Sequence, residues 1–288
     1  MIKVDIHMTT CIRDDVKCRP RSNPGIEGFN ITAWKPEEKL EIAKLSFQSL
    51  KEFCNPYPVN IINDGSNLCD AVKWLNSEKN VHSFSHNGSS SAINNYMLKL
   101  DEDIDMICHF EDDHVYFNPE GIDWLSVCYE FLKQNQHIGV VTLRSGLPWE
   151  QTDPGFRGAW GPRGYANSIC PHRIYDALGN AHHIMLFSTY KKFFPLSGNT
   201  GGCEAFMNRR LKELNLKNAE IQIPVYAFHS HKMWGELPEV VTTNELNKTG
   251  RGIEYGIVNM YKHLQEKKPV KYSYFGPNEE YIEKDWPC

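Results

Sequence analysis

The segment Asp105–Asp113 constrains the fold and the chemistry of this chain more than any other stretch. Its apolar part, Met106–Phe110, is too short for a helix and suits a strand buried on both faces of a parallel sheet. Three adjacent carboxylates, Glu111, Asp112 and Asp113, follow at once. Because ligands of open α/β sheets bind just beyond the carboxyl ends of the strands, this position favours a binding site.

The three acids also indicate what they bind. Adjacent carboxylates raise one another's pKa unless a cation is close. Carboxylates two apart in an extended segment point to the same side, so we expect Glu111 and Asp113 to converge. Mg²⁺ and Mn²⁺ prefer oxygen ligands and usually bind together with phosphate oxygens. The segment therefore predicts a Mn²⁺ or Mg²⁺ site that holds a nucleotide diphosphate. A solvated acidic turn that caps the next helix is the alternative.

Strand-like and helix-like segments alternate through the first half of the chain. This pattern predicts an α/β fold with a mainly parallel sheet and helices on both faces. The predicted strands are Lys3–Thr10, Val59–Asn63, Val81–Phe84, Met106–Phe110 and Ile138–Leu143, and the predicted helices are Pro36–Cys54, Cys69–Asn76, residues 92–100 and Gly121–Gln134.

The second half of the sequence is less regular. Residues 145–180 are rich in glycine, proline and aromatic residues, which is typical of a binding surface or lid. Further predicted strands are Ala181–Phe187 and a final Ile221–Phe228, and the predicted helices are Ser188–Phe194, Cys203–Leu214 and a segment near Tyr255–Leu264. Because no repeat or linker interrupts the chain, we expect one domain.

The composition limits the class of protein. The 288 residues carry a net charge of −5, which gives no electrostatic reason to expect a nucleic-acid partner. No apolar run is as long as a membrane span, and no secretory segment follows Met1. The nine cysteines are scattered and include no C-x-x-C pair, which argues against structural zinc and favours reduced thiols. We therefore expect a cytoplasmic protein.

Four groups of residues occur in a recognisable order, each at the end of a predicted strand. They are Thr9, Thr10 and Arg13; Asn63–Ser66; Asn87 and Gly88 with Ser91, Ala92 and Asn94; and Phe110–Asp113. This order resembles the nucleotide-sugar glycosyltransferases of GT-A fold, in particular their large inverting family with a D-x-D metal motif. The likeness covers residues 3–145 and is looser to about residue 231. One departure is Glu111, where the family usually has aspartate.

The resemblance implies a set of donor-binding residues. Asp64 would accept a hydrogen bond from the nucleobase, most commonly uracil, and its alternative role is to bond the backbone of its own turn. Arg13 would lie near the base or the phosphates, and Thr10 would contact the base. The remaining residues implied for the nucleotide-sugar site are Asn87, Gly88, Asn94 and Asp112.

The resemblance also implies the metal ligands and a catalytic base. Glu111 and Asp113 would bind Mn²⁺ or Mg²⁺, with His229 or His231 completing the site. Glu204 occupies the place of the family's general base, although Cys203 replaces the acid that usually precedes it. A glutamate that favours the helix dipole in the first turn is the alternative interpretation of Glu204.

These features predict a metal-dependent, inverting glycosyltransferase of the hexosyltransferase class. It would move a sugar from a nucleotide donor, UDP in the commonest case, to a glycan or another hydroxyl acceptor. Residues 1–145 would form the nucleotide-sugar half and residues 146–288 the acceptor half of one GT-A domain. A nucleotidyltransferase on a similar scaffold and a non-catalytic carbohydrate-binding protein are the alternatives, and the oligomeric state stays open.

Overall fold

The computed structural model describes residues 2–15, 21–22, 30–31, 35–101, 103–143, 163–164, 172–175, 182–196, 202–229, 241–242, 261–262, 264–275 and 280–287. The helices are α1 (Pro36–Cys54), α2 (Cys69–Ser77), α3 (Ser89–Met97), α4 (Trp124–Gln134), α5 (Phe187–Phe193) and α6 (Gly202–Glu213). The strands are β1 (Val4–Thr10), β2 (Arg21–Ser22), β3 (Asn30–Ile31), β4 (Asn60–Asp64), β5 (Val81–Phe84), β6 (Met106–Glu111), β7 (His114–Phe117), β8 (Ile138–Thr142), β9 (Arg163–Gly164), β10 (His172–Tyr175), β11 (His183–Leu186), β12 (Lys217–Ile221), β13 (Tyr226–His229), β14 (Val241–Thr242), β15 (Val270–Phe275) and β16 (Tyr281–Trp286).

One large sheet organises these elements, in the order β5-β4-β1-β6-β11-β8-β12-β10-β9. Strands β5, β4, β1 and β6 are parallel neighbours. Strand β11 is inserted antiparallel between β6 and β8, and β12 then continues parallel to β8. The carboxyl ends of β1, β4, β5, β6, β8 and β12 therefore lie along one edge of the sheet, which we call the carboxyl edge.

Helices cover both faces of this sheet, as the alternating pattern predicts. Apolar side chains of α1, α2 and α4 pack on one face, represented by Leu50, Leu75 and Phe131. Helices α3, α5 and α6 pack on the other face. In the part of the chain that the structure describes, no helix is both long and apolar enough to cross a membrane.

The start of α1 follows from its local sequence. Pro36 occupies the first turn, where a missing N–H costs nothing, and acidic residues follow at the positive end of the helix dipole. The side chain of Glu38 accepts a hydrogen bond from the backbone N–H of Lys35 at 2.9 Å. Leu40, Phe47 and Leu50 form the buried side of the helix.

A row of polar rings crosses the sheet beneath α3, and it is buried at His7 and His109 and partly buried at His183. His7 on β1, His109 on β6 and His183 on β11 are in register, with ring centroids 5.1 and 4.5 Å apart. Asp5 accepts hydrogen bonds from the ring of His7 and the hydroxyl of Tyr96, both at 2.6 Å. Burial, followed by the neighbouring His183, holds the pKa of His109 well below its usual value. Burial also lowers the pKa of His183 to about 3.

The structure corrects two sequence predictions. The predicted strand Ile221–Phe228 is two strands, because β12 ends at Ile221 and β13 begins at Tyr226 in a different sheet. Pro224 between them has no N–H to donate to a ladder, which disfavours a continuous central strand. This segment is also not the last strand, since β15 and β16 form an antiparallel pair near the end of the chain.

Other predictions on the second half have mixed outcomes. The helices α5 and α6 lie within one residue of their predicted limits. Most of the irregular segment 145–180 lies outside the described residues, apart from β9 and β10. Of the predicted helix near Tyr255–Leu264, only residues 261, 262 and 264 are described, and they are helical.

Candidate functional site

The carboxyl edge brings together the polar residues that follow three neighbouring strands. Thr10 ends β1, Asp64 ends β4 and Glu111 ends β6. Strand β1 lies between the other two, with Thr9 in register with Glu111. The grouping of strand-end residues that the sequence predicts is therefore present at this edge.

Asp112 turns inward and contacts the end of β1. The hydroxyl of Thr10 donates to its carboxylate at 2.6 Å, and the ammonium of Lys39 lies 4.0 Å away. Lys39 also donates to the backbone carbonyl of Cys11 at 2.8 Å. Burial raises the pKa of Asp112 above its usual range, and the charge of Lys39 acts in the opposite direction. Asp112 is thus a largely buried acid, with 12% of its side chain exposed, and it ties the acidic turn to β1.

Asp113 points differently and keeps part of its surface in solvent. One carboxylate oxygen contacts the ring nitrogen Nδ1 of His114 at 2.9 Å, and 27% of the side chain is exposed. The backbone carbonyl of Glu111 accepts hydrogen bonds from the hydroxyls of Ser46 and Tyr116 at 3.2 and 3.3 Å. These contacts fix the acidic turn against α1 and β7.

The sequence predicts that Glu111 and Asp113 converge because both would lie in an extended strand, but the structure shows that the segment after Glu111 is not extended. Strand β6 ends at Glu111, and the next two residues form a turn before β7. Among the described residues, Glu111, Asp112 and Asp113 do not form a group of three ligand atoms within 4.8 Å of one another. A divalent ion here would therefore use one or two carboxylates together with phosphate oxygens, the usual arrangement for Mg²⁺.

Asp64 is not the residue that closes its own turn. Asn63 does this, since its side-chain oxygen accepts from the backbone N–H of Ser66 at 3.0 Å. The Asp64 carboxylate reaches the next loop, where it accepts from the backbone N–H of Asn87 and lies 3.2 Å from Nδ1 of His86. Its side chain is 4% exposed. The alternative reading of Asp64 as a turn residue is therefore not what the structure shows.

Three other predicted donor residues have identifiable local roles. Arg13 donates to the carbonyl of Gly65 at 2.7 Å and pairs with Asp15. Gly88 precedes α3 with a positive φ of 91°, and its carbonyl accepts from the backbone N–H groups of the first turn. Asn94 is committed to the protein itself, because its amide exchanges two hydrogen bonds with the backbone of Leu196 at 2.7 and 2.9 Å. Asn94 thus positions the segment that leads towards α6.

The predicted ligands from the second half are placed only by their backbone. His229 ends β13 and is in register with His114, the residue after Asp113. The side chains of His229 and Glu204, and the whole of His231, lie outside the described residues.

The topology indicates the direction in which the first turn of α6, with the backbone of Glu204, extends. Helix α6 leads directly into β12, and Leu211 and Leu216 pack against Gly139 at the amino end of β8. The C-terminal end of α6 is therefore at the amino edge of the sheet, and its first turn, which contains Glu204, extends towards the carboxyl edge.

Comparison with known proteins identifies the fold. No protein-family model and no curated protein matches the chain. The crystal structure of GalNAc-T7 with UDP, GalNAc and Mn²⁺ superposes with a TM-score of 0.51 at 10% identity, over 91% of this chain. The chain has the GT-A fold. It spans half the length of the GalNAc-T7 chain.

Weaker likenesses accompany this one. S. aureus TarS 1–349 in complex with UDP-GlcNAc gives a TM-score of 0.44 at 14% identity, over 82% of this chain and 60% of TarS 1–349. CMP:2-keto-3-deoxy-manno-octonic acid synthetase complexed with CTP gives 0.41 at 11% identity, over 76% of this chain and 88% of the synthetase. At these scores they add nothing to the assignment of the GT-A fold.

Several residues of this GT-A site were not predicted from the sequence. Lys39 is a cation in the first turn of α1, where the helix dipole disfavours positive charge unless acids are close. This unfavourable placement of a positive charge is the sequence feature from which Lys39 could have been predicted. Ser46, Cys11 and His86 carry no comparable signal, because their roles depend on contacts between elements far apart in sequence.

A glycine substitution tests how tightly the GT-A carboxyl edge is packed. Gly65 has a φ of +64°, and a Cβ there would lie 2.5 Å from the backbone nitrogen of His86. Gly121 has a φ of +61° with open space around it, so Gly121→Ala is the matched control. We expect Gly65→Ala to lower the free energy of unfolding by about 1–3 kcal/mol more than the control does, because of overpacking. Urea unfolding measures both values, and equal losses would contradict the close packing.

Proposed function

We propose that this protein is a metal-dependent glycosyltransferase that moves a sugar from a UDP-type donor to an acceptor hydroxyl, with inversion. The observation that carries the proposal is the acidic turn at the carboxyl end of β6, with Asp113 partly exposed beside the ends of β1 and β4. The likeness of fold to GalNAc-T7, whose crystal structure contains UDP, GalNAc and Mn²⁺, supports it.

The donor nucleotide would lie along the carboxyl edge. Asp64 supplies a buried carboxylate at the end of β4, suited to accept a hydrogen bond from a nucleobase N–H. Arg13 and Lys39 are the nearby cations, and both suit the negative charge of a diphosphate. The hydroxyl of Thr10 donates a hydrogen bond to Asp112, and this contact holds the acidic turn in place.

The residues present fit a hard divalent cation. Asp113 offers a partly exposed carboxylate, one oxygen of which contacts the ring of His114. Glu111 and His229 are the further residues that we assign to the ion, through their places beside this turn. When bound, Mn²⁺ or Mg²⁺ would neutralise the negative charge that develops on the departing diphosphate.

Glu204 is the residue that we assign as general base. Its carboxylate takes the proton of the acceptor hydroxyl as that oxygen forms a bond to the anomeric carbon. The bond from the anomeric carbon to the diphosphate oxygen breaks, and its electron pair leaves on UDP. Attack from the face opposite the leaving group inverts the anomeric centre.

One feature weighs against the nucleotidyltransferase alternative. A nucleotidyltransferase would normally carry a glycine-rich basic loop after β1, and residues 11–15 contain no glycine.

The metal ligand is tested by Asp113→Asn. The substitution keeps the size of the side chain and removes the charge that binds the cation. In the wild-type protein we expect Mn²⁺ to tighten UDP binding at least tenfold, or about 1.4 kcal/mol. In the variant we expect this gain to be lost while the metal-free affinity is unchanged. Isothermal titration calorimetry with UDP, with and without Mn²⁺, measures both.

The control for this experiment is Asp103→Asn. Asp103 is an exposed acid that pairs with Lys3 away from the acidic turn, so its loss should leave the effect of Mn²⁺ intact. If Mn²⁺ increased the affinity for UDP equally in the Asp113→Asn variant, Asp113 would be excluded as a metal ligand.

A further inference from the structure

Three side chains of different chemistry converge beside the donor site. Cys11, Asp64 and His86 each offer one ligand atom, and the three atoms lie within 4.8 Å of one another. The Cys11 sulfur is 3.6 Å from Nδ1 of His86, and that nitrogen is 3.2 Å from a carboxylate oxygen of Asp64. The three residues come from the carboxyl ends of three strands, since Cys11 follows β1, Asp64 ends β4 and His86 follows β5.

Two of the three separations match those of ligands around tetrahedral zinc. With Zn–S near 2.3 Å and Zn–N or Zn–O near 2.0–2.2 Å, tetrahedral angles place sulfur about 3.6 Å from nitrogen and nitrogen about 3.4 Å from oxygen. The observed 3.6 and 3.2 Å are close to both values. The third separation, between the Cys11 sulfur and the Asp64 carboxylate oxygen, is at most 4.8 Å.

The loops that carry the ligands are fixed to one another. The backbone N–H of Ile12 donates to the hydroxyl of Ser66 at 2.9 Å, and the carbonyl of Ile12 accepts from Asn67 at 3.1 Å. Gly65 approaches His86 so closely that no side chain fits between them. The ligand positions therefore follow from the packing of the loops and do not depend on a mobile segment.

The charges also balance. Burial raises the pKa of the Cys11 thiol to about 11, so a bound ion has to displace the thiol proton. The resulting thiolate and the carboxylate together neutralise one divalent cation, and imidazole adds no charge. The cations Lys39 and Arg13 lie nearby, but Asp112 and Asp15 are close to them and offset their charge. His86 is 42% exposed on the outer side, which leaves a route for the ion from solvent.

We propose that Cys11, Asp64 and His86 form a binding site for Zn²⁺ with a fourth, exchangeable position open to solvent. Sulfur and nitrogen ligands select Zn²⁺ over Mg²⁺ and Mn²⁺, which prefer oxygen. The site is thus chemically separate from the acidic turn of Glu111 and Asp113. It differs from a structural zinc site, in which four protein ligands close the coordination sphere.

Cobalt substitution tests the proposal without any nucleotide. Co²⁺ titrated into the reduced full-length protein should produce a thiolate-to-cobalt charge-transfer band in the near ultraviolet, and Zn²⁺ should abolish it. The acidic turn cannot produce this band because it contains no sulfur. The Cys11→Ser variant should lose the band, and the control Cys69→Ser, at an exposed free cysteine, should keep it.

A second variant guards against a change of fold. His86→Gln alters an exposed side chain and should weaken Co²⁺ binding at least tenfold while the band can still form at high concentration. Absence of a charge-transfer band in the wild-type protein would overturn the proposal, and so would a band that survives Cys11→Ser. The site shares Asp64 with the proposed donor site, so Zn²⁺ and a nucleobase would compete for its carboxylate. Because neither readout involves UDP, failure of this experiment is distinguishable from failure of the proposed transferase function.

Discussion

Replacing Glu204 by glutamine is expected to lower kcat by about 10²–10⁴-fold, the usual contribution of a positioned general base. Glutamine keeps the shape of the side chain but cannot take the proton of an acceptor hydroxyl. Release of UDP from a panel of UDP-sugars, with simple glycans as acceptors, measures the effect in wild-type and variant proteins. Metal-dependent binding of UDP should be unchanged, since Glu204 has no part in holding the donor.

The matched control for Glu204→Gln lies on the same helix. Glu213 ends α6 at the opposite edge of the sheet and pairs with Arg210 at the surface. Glu213→Gln should therefore keep full turnover. If Glu204→Gln also turned over at the wild-type rate, Glu204 would be excluded as the base.

The second large effect is a loss of stability in mild acid. His109 is neutral in the folded protein because its pKa is held well below 6.5, and the pKa of His183 is about 3. Their unfolded-state pKa is near 6.5, so below that pH the unfolded chain binds protons that the folded chain does not. The contribution of these neutral histidines to the free energy of unfolding is therefore complete above pH 6.5 and is lost as the pH drops below that value. At pH 5 each histidine that stays neutral in the folded protein lowers the free energy of unfolding by about 2 kcal/mol.

Urea unfolding at pH 7.5 and pH 5 measures this loss. We expect the free energy of unfolding to fall by about 2–4 kcal/mol between the two values, with the smaller figure if only the fully buried His109 stays neutral. The acid facing this row, Asp5, has a lowered pKa, so its own contribution is lost only below this window. Tyr96 packs against His7 at one end of the row.

Two substitutions separate this row from the other histidines. His109→Phe fills the same space without a titrating group, so the pH dependence of its stability should be shallower by the contribution of one histidine. His137→Gln changes an exposed histidine and should leave that dependence as it is. An unchanged dependence in His109→Phe would contradict the assignment of a neutral His109 to the folded state.

The first half of the fold could be predicted from the sequence because each buried strand and each amphipathic helix has its own periodicity. Strand β5 and helix α1 have the limits that the sequence predicts. Strand β7 was missed because its four residues follow the acids directly and resemble a continuation of β6. The division of β12 from β13 had a signal in Pro224, which the apolar run around it masks.

The site was predictable in its location and less so in its detail. Strand order along the chain predicts that Thr10, Asp64 and Asp113 meet at one edge, since parallel strands end together. Which acid turns inward depends on the turn after Glu111 and on the reach of Lys39, and neither leaves a pattern in the sequence. The sequence also contains no sign that the amide of Asn94 bonds the backbone of Leu196, and the assignment of Asn94 to the donor stays a prediction.

The most direct test of the proposed donor site is a crystal structure of the protein soaked with UDP and Mn²⁺. We expect anomalous density for Mn²⁺ between the Asp113 carboxylate and the diphosphate, with the uracil beside Asp64 at the carboxyl edge. Density for the ion and the nucleotide away from these two residues would contradict the proposed function.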